Sequence, residues 1–439
     1  MNSELRIETN WLGNNVGDDL EKAFYADIDI AIDEDHLTRL EDLLANTVRN
    51  NLRGNAYQLA TWFAANWWRI RWEPEISEWS KDPDWRMAHS IASAGGGFVW
   101  PNVVFASDGE SIAIASRLSE FRSVIEPVRY LSQTIKRISS ASFEQSVDMF
   151  LEGVLSRLQT LKLCDETLHG LWNETLAERR DPNIAAYRKL EAICGYDPDE
   201  SPDGMIQNLL DYKNNFGSSA IEEIAAAGRQ DALARLQQIA SLAKAEVGNI
   251  EGGIHAKFPQ LPSVPIQHQS ERPWQLARRF AKLARQAWDL GDGRIEDKVL
   301  TDLVDARSSI LDGLSTTGIP MSLALRGRDE KTFSIYLESK WKVNNRFALA
   351  RLIGDNLGEF STEQLHPATK AKTARQQFQR AFGQEFLCPF DTLKSMIGTD
   401  LPDDDDIDEA ADYFQVSPLL VKTTLVNKGE LDRESLRAA

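Results

Sequence analysis

The stretch NRFALARLIGDNL, residues 345–357, decides how the C-terminal part of this chain is interpreted. Its apolar side chains recur three and four positions apart, which predicts an amphipathic helix. One turn of that helix carries Arg351 and Asp355 close to the apolar face. Residues four apart face each other on a helix, so we expect these two side chains to form an ion pair. An exposed pair of this kind contributes about 0.2–0.5 kcal/mol to stability, and the order with the cation first is the weaker orientation.

Three further patterns surround this helix within residues 273–439. A strand pair is predicted around MSLALRGRDEKTFSIYLES, residues 321–339. A second helix is predicted in TARQQFQRAFGQEFLCPF, residues 373–390, and two short helices around QVSP, residues 415–418. The C-terminal part therefore reads as one mostly helical unit with a small sheet.

The order of these segments resembles the ImmA/IrrE family of metallopeptidase-like proteins. That family has a zinc-binding helix of the form R-R-F-x-x-A-H-E-x-G-H. A second helix ending near F-A-x-x-L-L-x-P and a helix-turn-helix-like tail containing V-S follow it. The resemblance covers about residues 300–435 and implies a zincin-like unit. The matching positions are Arg346, Phe347, Leu349, Ala350, Gly354, Phe382, Leu387, Pro389, Val416 and Ser417.

The residues that would bind zinc differ from the family pattern. Arg351 stands at the first histidine, Leu352 at the general base and Asp355 at the second histidine, while Gln376 lies near the third ligand. Catalytic zinc takes about three nitrogen, oxygen or sulfur ligands and an open water position. A guanidinium has no lone pair to give, and a leucine side chain cannot accept a proton. The resemblance thus implies a zincin-like unit without zinc ligands, and we predict no metal or cofactor.

The remainder of the sequence contains no strong catalytic motif. Its six histidines are widely spaced, and none neighbours a cysteine. No G-x-x-x-x-G-K-[ST] or G-x-S-x-G pattern occurs. Asp27 and Asp29 lie on one face of a strand predicted in ADIDIAID, residues 26–33, an arrangement that two-metal enzymes use. Solvent-facing aspartates on an amphipathic strand give the same pattern, so both interpretations remain open.

The fold class predicted for the whole chain is mainly α with small β elements, an α+β protein of several domains. We predict a Trp-rich α+β domain over residues 1–120, a helical domain over 121–250, a Pro-rich linker over 251–272 and the zincin-like unit over 273–439. Within the first domain, leucine spacing in DHLTRLEDLLANTVRNN, residues 35–51, predicts a helix after the first strand.

Tryptophan usage in the first domain is unusual, because eight of the twelve tryptophans lie in the first 100 residues. Helical spacing within residues 55–72 predicts that they pack in a core with edges exposed at a protein interface. Stacking on nucleic-acid bases is the alternative. The candidate interface residues are Trp62, Trp67, Trp68, Trp72, Arg69 and Arg71.

Charge and composition limit the partners. The formal net charge is −18, which repels phosphate backbones unless a local basic patch exists. The candidate nucleic-acid contacts are Lys370, Lys372, Arg375 and Lys422. The N-terminus lacks a signal-peptide pattern, and no run approaches the ~18 apolar residues of a membrane span. We therefore expect a cytoplasmic protein without a membrane segment; the sequence does not predict its oligomeric state.

The preferred hypothesis is a catalytically inactive, peptidase-like recognition or scaffold protein that binds a protein partner. Active family members cleave repressors, so the resemblance implies a bacterial setting such as stress response, mobile-element control or phage defence. One alternative is a DNA-binding transcriptional regulator that uses the C-terminal helices. Two enzymatic alternatives are a zinc metallopeptidase with substitute ligands and a hydrolase with its site at Asp27 and Asp29. Whether the protein is an enzyme stays open, although the replaced zinc positions argue against it.

Overall fold

The chain forms two compact units, Met1–Gln207 (unit 1) and Asn208–Ala439 (unit 2). A computed structural model describes residues 3–13, 17–76, 82–119, 127–163, 166–245, 254–261, 271–313, 318–327, 330–358, 362–398 and 402–436. The architecture is mixed α+β and mainly helical, which confirms the predicted class at that level. Each unit has its own apolar core. No helix in the described ranges is long and apolar enough to cross a membrane.

In its described residues, unit 1 combines three small antiparallel sheets with long helices. Its strands are β1 (Leu5–Trp11), β2 (Tyr25–Ile32), β3 (Asp35–His36), β4 (Leu40–Asp42), β5 (Thr47–Arg49), β6 (Leu52–Asn55), β7 (Val103–Ser107), β8 (Ser111–Ser116), β9 (Val128–Tyr130) and β10 (Thr134–Ser139). Its helices are α1 (Asp19–Phe24), α2 (Ala56–Trp72), α3 (Pro83–His89), α4 (Ser140–Leu161), α5 (Thr167–Arg180) and α6 (Pro182–Ile193). The unit boundary falls within α7 (Met205–Asp211).

The predicted strand in residues 26–33 is confirmed as β2, which pairs with β1, β3 and β6. Ile28 and Ile30 are fully buried, whereas Asp27 and Asp29 lie on the opposite, half-buried face. The predicted helix in residues 55–72 is confirmed as α2. Asn55 caps α2 by accepting hydrogen bonds from the second and third backbone N–H groups of the helix.

The helix predicted over residues 35–51 is wrong, because β3, β4 and β5 form there. The Thr38 hydroxyl accepts a hydrogen bond from Ile30 N at 3.0 Å and so ties this segment to β2. The Asp42 carboxylate accepts from Leu44 N at 3.2 Å and closes a tight turn. Leu44, which the helical pattern would bury, is 82% exposed. Leucine spacing alone suggested a helix, and local side-chain hydrogen bonds decided otherwise.

The described part of unit 2 packs helices around one antiparallel sheet. Its strands are β11 (Ile254–Ala256), β12 (Ser322–Arg326), β13 (Phe333–Tyr336) and β14 (Leu365–Ala368), in the order β11-β13-β12-β14. Its helices are α8 (Lys213–Phe216), α9 (Ser218–Gly228), α10 (Ala232–Ala245), α11 (Pro273–Ala287), α12 (Asp297–Asp302), α13 (Lys342–Leu357), α14 (Ala374–Leu387), α15 (Phe390–Ile397), α16 (Asp404–Phe414) and α17 (Pro418–Lys428).

The four predicted segments differ from these two units. Residues 121–250, predicted as one helical domain, contribute α4–α6 to unit 1 and α8–α10 to unit 2. Part of the predicted linker 251–272 forms β11, which pairs with β13. Residues 251–253 and 262–270 of that linker lie outside the described residues.

Helix α13 contains the stretch 345–357 and packs tightly against α14. A Cβ atom on Gly354 would lie 2.5 Å from the ring of Phe382, and one on Gly383 would lie 2.8 Å from the ring of Phe347. Each helix therefore places a glycine under an aromatic ring of the other helix. This close approach brings polar side chains of α13 and α14 within hydrogen-bonding distance.

The two tail helices predicted around QVSP are confirmed as α16 and α17, and they pack on unit 2. Arg346, at the start of α13, donates to the carbonyls of Gln415 at 3.0 Å and Ile295 at 2.5 Å and also binds Asp297. Arg346 thus ties the turn between α16 and α17 to the body of the unit.

Candidate functional site

The residues at the four predicted motif positions are all buried in unit 2. Helix α13 supplies Arg351, Leu352 and Asp355, and α14 supplies Gln376. The Arg351 guanidinium donates from Nη2 to Gln376 Oε1 at 2.5 Å. The positions that the resemblance assigns to the first zinc ligand and to the neighbourhood of the third are therefore joined by a hydrogen bond.

The ion pair predicted between Arg351 and Asp355 is wrong. Arg351 instead donates to the carbonyl of Thr369 at 2.6 Å, besides Gln376. Asp355 receives both arms of Arg375, with Nε at 2.9 Å from Oδ1 and Nη2 at 2.6 Å from Oδ2. This two-point geometry is stronger than a single contact across a helical turn, and it explains why Asp355 pairs with α14.

Asp355 also orients a buried histidine. His366 Nδ1 lies 2.8 Å from Asp355 Oδ2, and because a carboxylate only accepts, Nδ1 donates the proton. Burial raises the pKa of Asp355, but the charge of Arg375 and the hydrogen bonds from His366 and Arg375 outweigh it and hold that pKa well below its usual range. Within the described ranges, His366 Nε2 has no hydrogen-bond partner.

The cluster lies along the outer edge of β14. His366 is paired with Ala324 of β12, and Arg326 N donates to the carbonyl of Gln364. In an antiparallel ladder, alternate residues bond to the same neighbour, so Leu365, Pro367 and Thr369 direct their backbone groups away from β12. Among the strands of the described residues, none neighbours β14 on that outer edge.

Side chains from α13 and α14 bond to this edge in place of a strand. Gln376 Nε2 and Gln379 Nε2 each donate to Pro367 O at 3.0 Å. Gln376 Oε1 accepts from Thr369 N at 2.8 Å, and Arg351 donates to Thr369 O. The cluster therefore satisfies a strand edge that would otherwise leave buried backbone groups unpaired.

Burial changes the acid–base properties of the cluster. It lowers the pKa of Arg351 to about 9, with a further contribution from the charge of Arg380. It also lowers the pKa of Arg380 to about 10. Arg351 bonds mainly to neutral acceptors, and its Nε atom has no partner among the described residues. A buried guanidinium without a directly bonded carboxylate is a costly arrangement.

Helix α9 adds a second buried acid, Glu223, which is 3% exposed. Its Oε2 atom accepts from the Thr373 hydroxyl at 2.8 Å. Burial raises the pKa of Glu223 to about 7 even though the charge of Arg375 opposes the shift. Our sequence predictions missed Glu223 and His366, because neither belongs to a motif and Glu223 lies 150 positions from Thr373.

The candidate interface residues of unit 1 form part of a core and its polar lining. Trp62, Trp67 and Trp68 are 3–6% exposed and belong to the apolar core. Arg71 lies over the partly exposed Trp72 ring at 3.6 Å, so an internal cation already stacks on it. These side chains do not form the exposed aromatic surface that the predicted interface requires, because helical packing directs them inward.

Arg69, the remaining member of that set, is also buried. It donates to Glu73 at 2.7 Å, four residues further along, and Glu73 accepts from His89 Nε2 at 3.0 Å. His89 Nδ1 lies 3.0 Å from the carbonyl of Phe105, and the ring stacks on Trp85.

The predicted aspartate pair of β2 is engaged by neighbouring side chains. Asp29 lies 2.8 Å from His36 Nδ1 and accepts from Thr38 at 3.1 Å, while Asp27 pairs with Arg53 at 3.2 Å. Each carboxylate thus has its own partner. Throughout the described residues, no three His, Cys, Asp or Glu side chains are grouped so that they could hold a metal ion.

The predicted nucleic-acid contacts do not form a common basic surface. Arg375 is buried and binds Asp355, and Lys422 pairs with Asp404 at 2.8 Å. Lys372 is half-buried, whereas Lys370 is exposed. Comparison of the sequence and structure with protein-family models, curated proteins and solved structures gave no match.

Proposed function

We propose that this protein acts by recognising a protein partner and does not hydrolyse peptides, and that unit 2 is an ImmA/IrrE-like, zincin-like domain whose metal site has become a polar cluster. The observation that carries the proposal is the hydrogen bond between Arg351 and Gln376. It joins the position that the resemblance assigns to the first zinc ligand with a residue near the position of the third. In this proposal, direct hydrogen bonds between side chains of α13 and α14 stand where an active relative would coordinate a metal ion.

The residues present do not fit zinc. Arg351 offers only N–H donors, and Leu352 is fully buried among apolar side chains. Asp355, the one anionic group on α13 at these positions, already binds Arg375 and His366. Recruiting Asp355 as a ligand would take from the buried Arg375 the carboxylate that accepts from its Nε and Nη2 atoms, which leaves Glu363 to balance its charge.

The biological setting of the proposal is a bacterial stress response or defence against phages and mobile elements. It follows from the resemblance, in which active members cleave repressors and an inactive member retains the capacity to bind one. A role as a DNA-binding regulator is not favoured, because Arg375 faces the interior and Lys422 is paired with an acidic residue of the same tail.

The test is elemental analysis of the full-length protein, purified without chelators and then incubated with zinc. We expect well below one zinc ion per chain, both in the wild-type protein and in Asp355→Ala. Asp408→Ala, which removes an exposed carboxylate from α16, is the matched control.

Stoichiometric zinc in the wild-type protein that is lost in Asp355→Ala and kept in Asp408→Ala would overturn the proposal. Hydrolysis of a fluorogenic protein substrate that EDTA abolishes would also overturn it. The recognition part is tested by cross-linking in the native host: a partner recovered with wild-type protein and with Asp408→Ala is expected.

A further inference from the structure

We propose that α9 can detach from the rest of unit 2. Two sets of hydrogen bonds, here called the latch, hold α9 against β14 and α14, and protonation of Glu223 stabilises this attached state. The proposal concerns regulation and stands independently of the proposed function. Helix α9 contacts β14 directly, and its side chains reach the same cluster that caps the edge of that strand.

The first part of the latch holds the start of α9. Ser219 N donates to Glu363 Oε1 at 2.9 Å, and Arg375 Nη1 donates to Ser219 Oγ at 3.1 Å and to Glu363 Oε2 at 2.6 Å. Gly217 precedes the helix with a φ of 100°, and a Cβ atom there would lie 2.5 Å from the Glu363 carboxyl carbon. The chain can approach Glu363 this closely only because residue 217 is glycine.

The second part lies one helical turn further on. Glu223 follows Ser219 by four residues and therefore projects from the same side of α9. Its carboxyl group is bonded by the hydroxyl of Thr373 and the side-chain amide of Gln376. Among the described residues no ion pair reaches Glu223, so this buried acid depends on neutral donors.

Charged groups surround Glu223 from several elements, but their hydrogen bonds go elsewhere. Arg375 binds Asp355 and Glu363, Arg351 binds Thr369 and Gln376, and Arg380 donates to Ala371 O. The titratable and charged groups of these elements are Lys342, Arg346, Arg351 and Asp355 on α13, Glu363 before β14, His366 on β14, Arg375, Arg380 and Glu385 on α14, Lys213 on α8, Glu222 on α9, Arg229 and Asp231 in the short helix Arg229–Asp231, and Arg235 and Lys244 on α10.

A proton on Glu223 therefore favours the seated helix. Burial raises the pKa of Glu223 to about 7 from its ordinary value of 4.5, so the state with α9 in place binds a proton that a hydrated carboxylate releases. Stabilisation by this proton is fully present below about pH 4.5 and is lost as the pH rises through about 7. We expect α9 to loosen at mildly alkaline pH, which opens the start of α14 to solvent or to a partner.

Hydrogen exchange of the full-length protein at pH 6 and pH 8, corrected for intrinsic rates, tests the latch. We expect opening of α9 and β14 to increase about tenfold from pH 6 to pH 8, because one group with these two pKa values titrates in that interval. Peptides from α11, in the same unit, serve as the internal reference and should change little.

Glu223→Gln keeps a neutral side chain at both pH values and should abolish the increase in opening of α9 and β14 between pH 6 and pH 8. Glu222→Gln removes a neighbouring carboxylate from the same helix and should leave this pH-dependent increase in opening unchanged. Equal protection of α9 at pH 6 and pH 8 in the wild-type protein would overturn the proposal without any variant. If the increase in opening from pH 6 to pH 8 persists in Glu223→Gln, the proposal is also overturned, because another group then controls the opening.

Discussion

Two helices of this protein carry the same polar pattern and use it differently. In unit 1, α2 has Arg69 and, at its end, Glu73 four positions later; in unit 2, α13 has Arg351 and Asp355 at the same spacing. Each acid also contacts a buried histidine. In unit 1 the arginine and the acid bond across the turn at 2.7 Å, whereas in unit 2 each side chain has partners on other elements.

The surroundings account for the difference. Burial alone would lower the pKa of Arg69, but the charge of Glu73 and hydrogen bonds with Glu73 and Asp84 raise it above its usual value. Arg351 faces mainly amide and carbonyl oxygens, and burial lowers its pKa to about 9. Spacing on a helix permits an ion pair, but the charges on neighbouring elements decide whether it forms.

The two histidines differ in the same way. Both ring nitrogens of His89 lie against acceptors, Phe105 O and Glu73 Oε2. His366 uses only Nδ1, and Nε2 has no partner in the described part of the chain. In the polar cluster of unit 2, Arg351 Nε and His366 Nε2 thus have no hydrogen-bond partner among the described residues, whereas both nitrogens of His89 in unit 1 face acceptors.

The largest expected effect is on unit 1. Arg69→Met removes the cation that three carboxylates share, including the fully buried Glu73. We expect a loss of about 3–5 kcal/mol in the free energy of unfolding of unit 1, because an uncompensated charge stays buried. Native-state hydrogen exchange in low urea, read from peptides of α2, measures it. A loss below about 1 kcal/mol would contradict the assigned role of Arg69.

A smaller effect is expected for the equivalent change in unit 2. Arg351→Met keeps a side chain of similar length and removes a donor from two neutral acceptors, Thr369 O and Gln376 Oε1, of which Gln376 Oε1 still accepts from Thr369 N. We expect a loss of about 1–3 kcal/mol in the free energy of unfolding of unit 2. Exchange of α13 peptides measures it, with α2 peptides as the control. A larger loss in the free energy of unfolding for Arg351→Met than for Arg69→Met would contradict the difference proposed between the two clusters.

The smallest effect concerns pH. Glu73 and Asp355 both have pKa values below their usual range, so both units lose stability in acid as these groups take up protons. Unit 2 alone contains Glu223, with its pKa raised to about 7, and it should lose about 1–2 kcal/mol between pH 6 and pH 8. Urea titration with exchange readout at both pH values should show this loss in unit 2 and not in unit 1.

Local periodicity predicted much of the fold, including β2, α2, the hairpin β12–β13, α13, α14 and the tail helices. It failed over residues 35–51, where the Thr38 hydroxyl and the Asp42 carboxylate redirect the backbone into short strands. It also failed for the unit boundaries, because apolar spacing does not tell which core a helix joins.

The candidate site could be predicted only in part. The motif positions Arg351, Asp355 and Gln376 were found, and the structure buries all three. Their partners were not found, because Asp355 binds a side chain 20 positions away, and Glu223 binds one 150 positions away. A single sequence contains no local signal for such distant contacts.

The contact between α9 and α14 also sets an order of events during synthesis. Ser219 and Arg375 are 156 positions apart, so α9 leaves the ribosome well before the residues that hold it. At about 5–20 residues per second, the delay is roughly 8–30 s. Thr373, whose hydroxyl bonds to Glu223, is synthesised only near the end of that interval. Seating of α9 is thus a late folding step, and a nascent chain that stalls before residue 375 would still expose this helix.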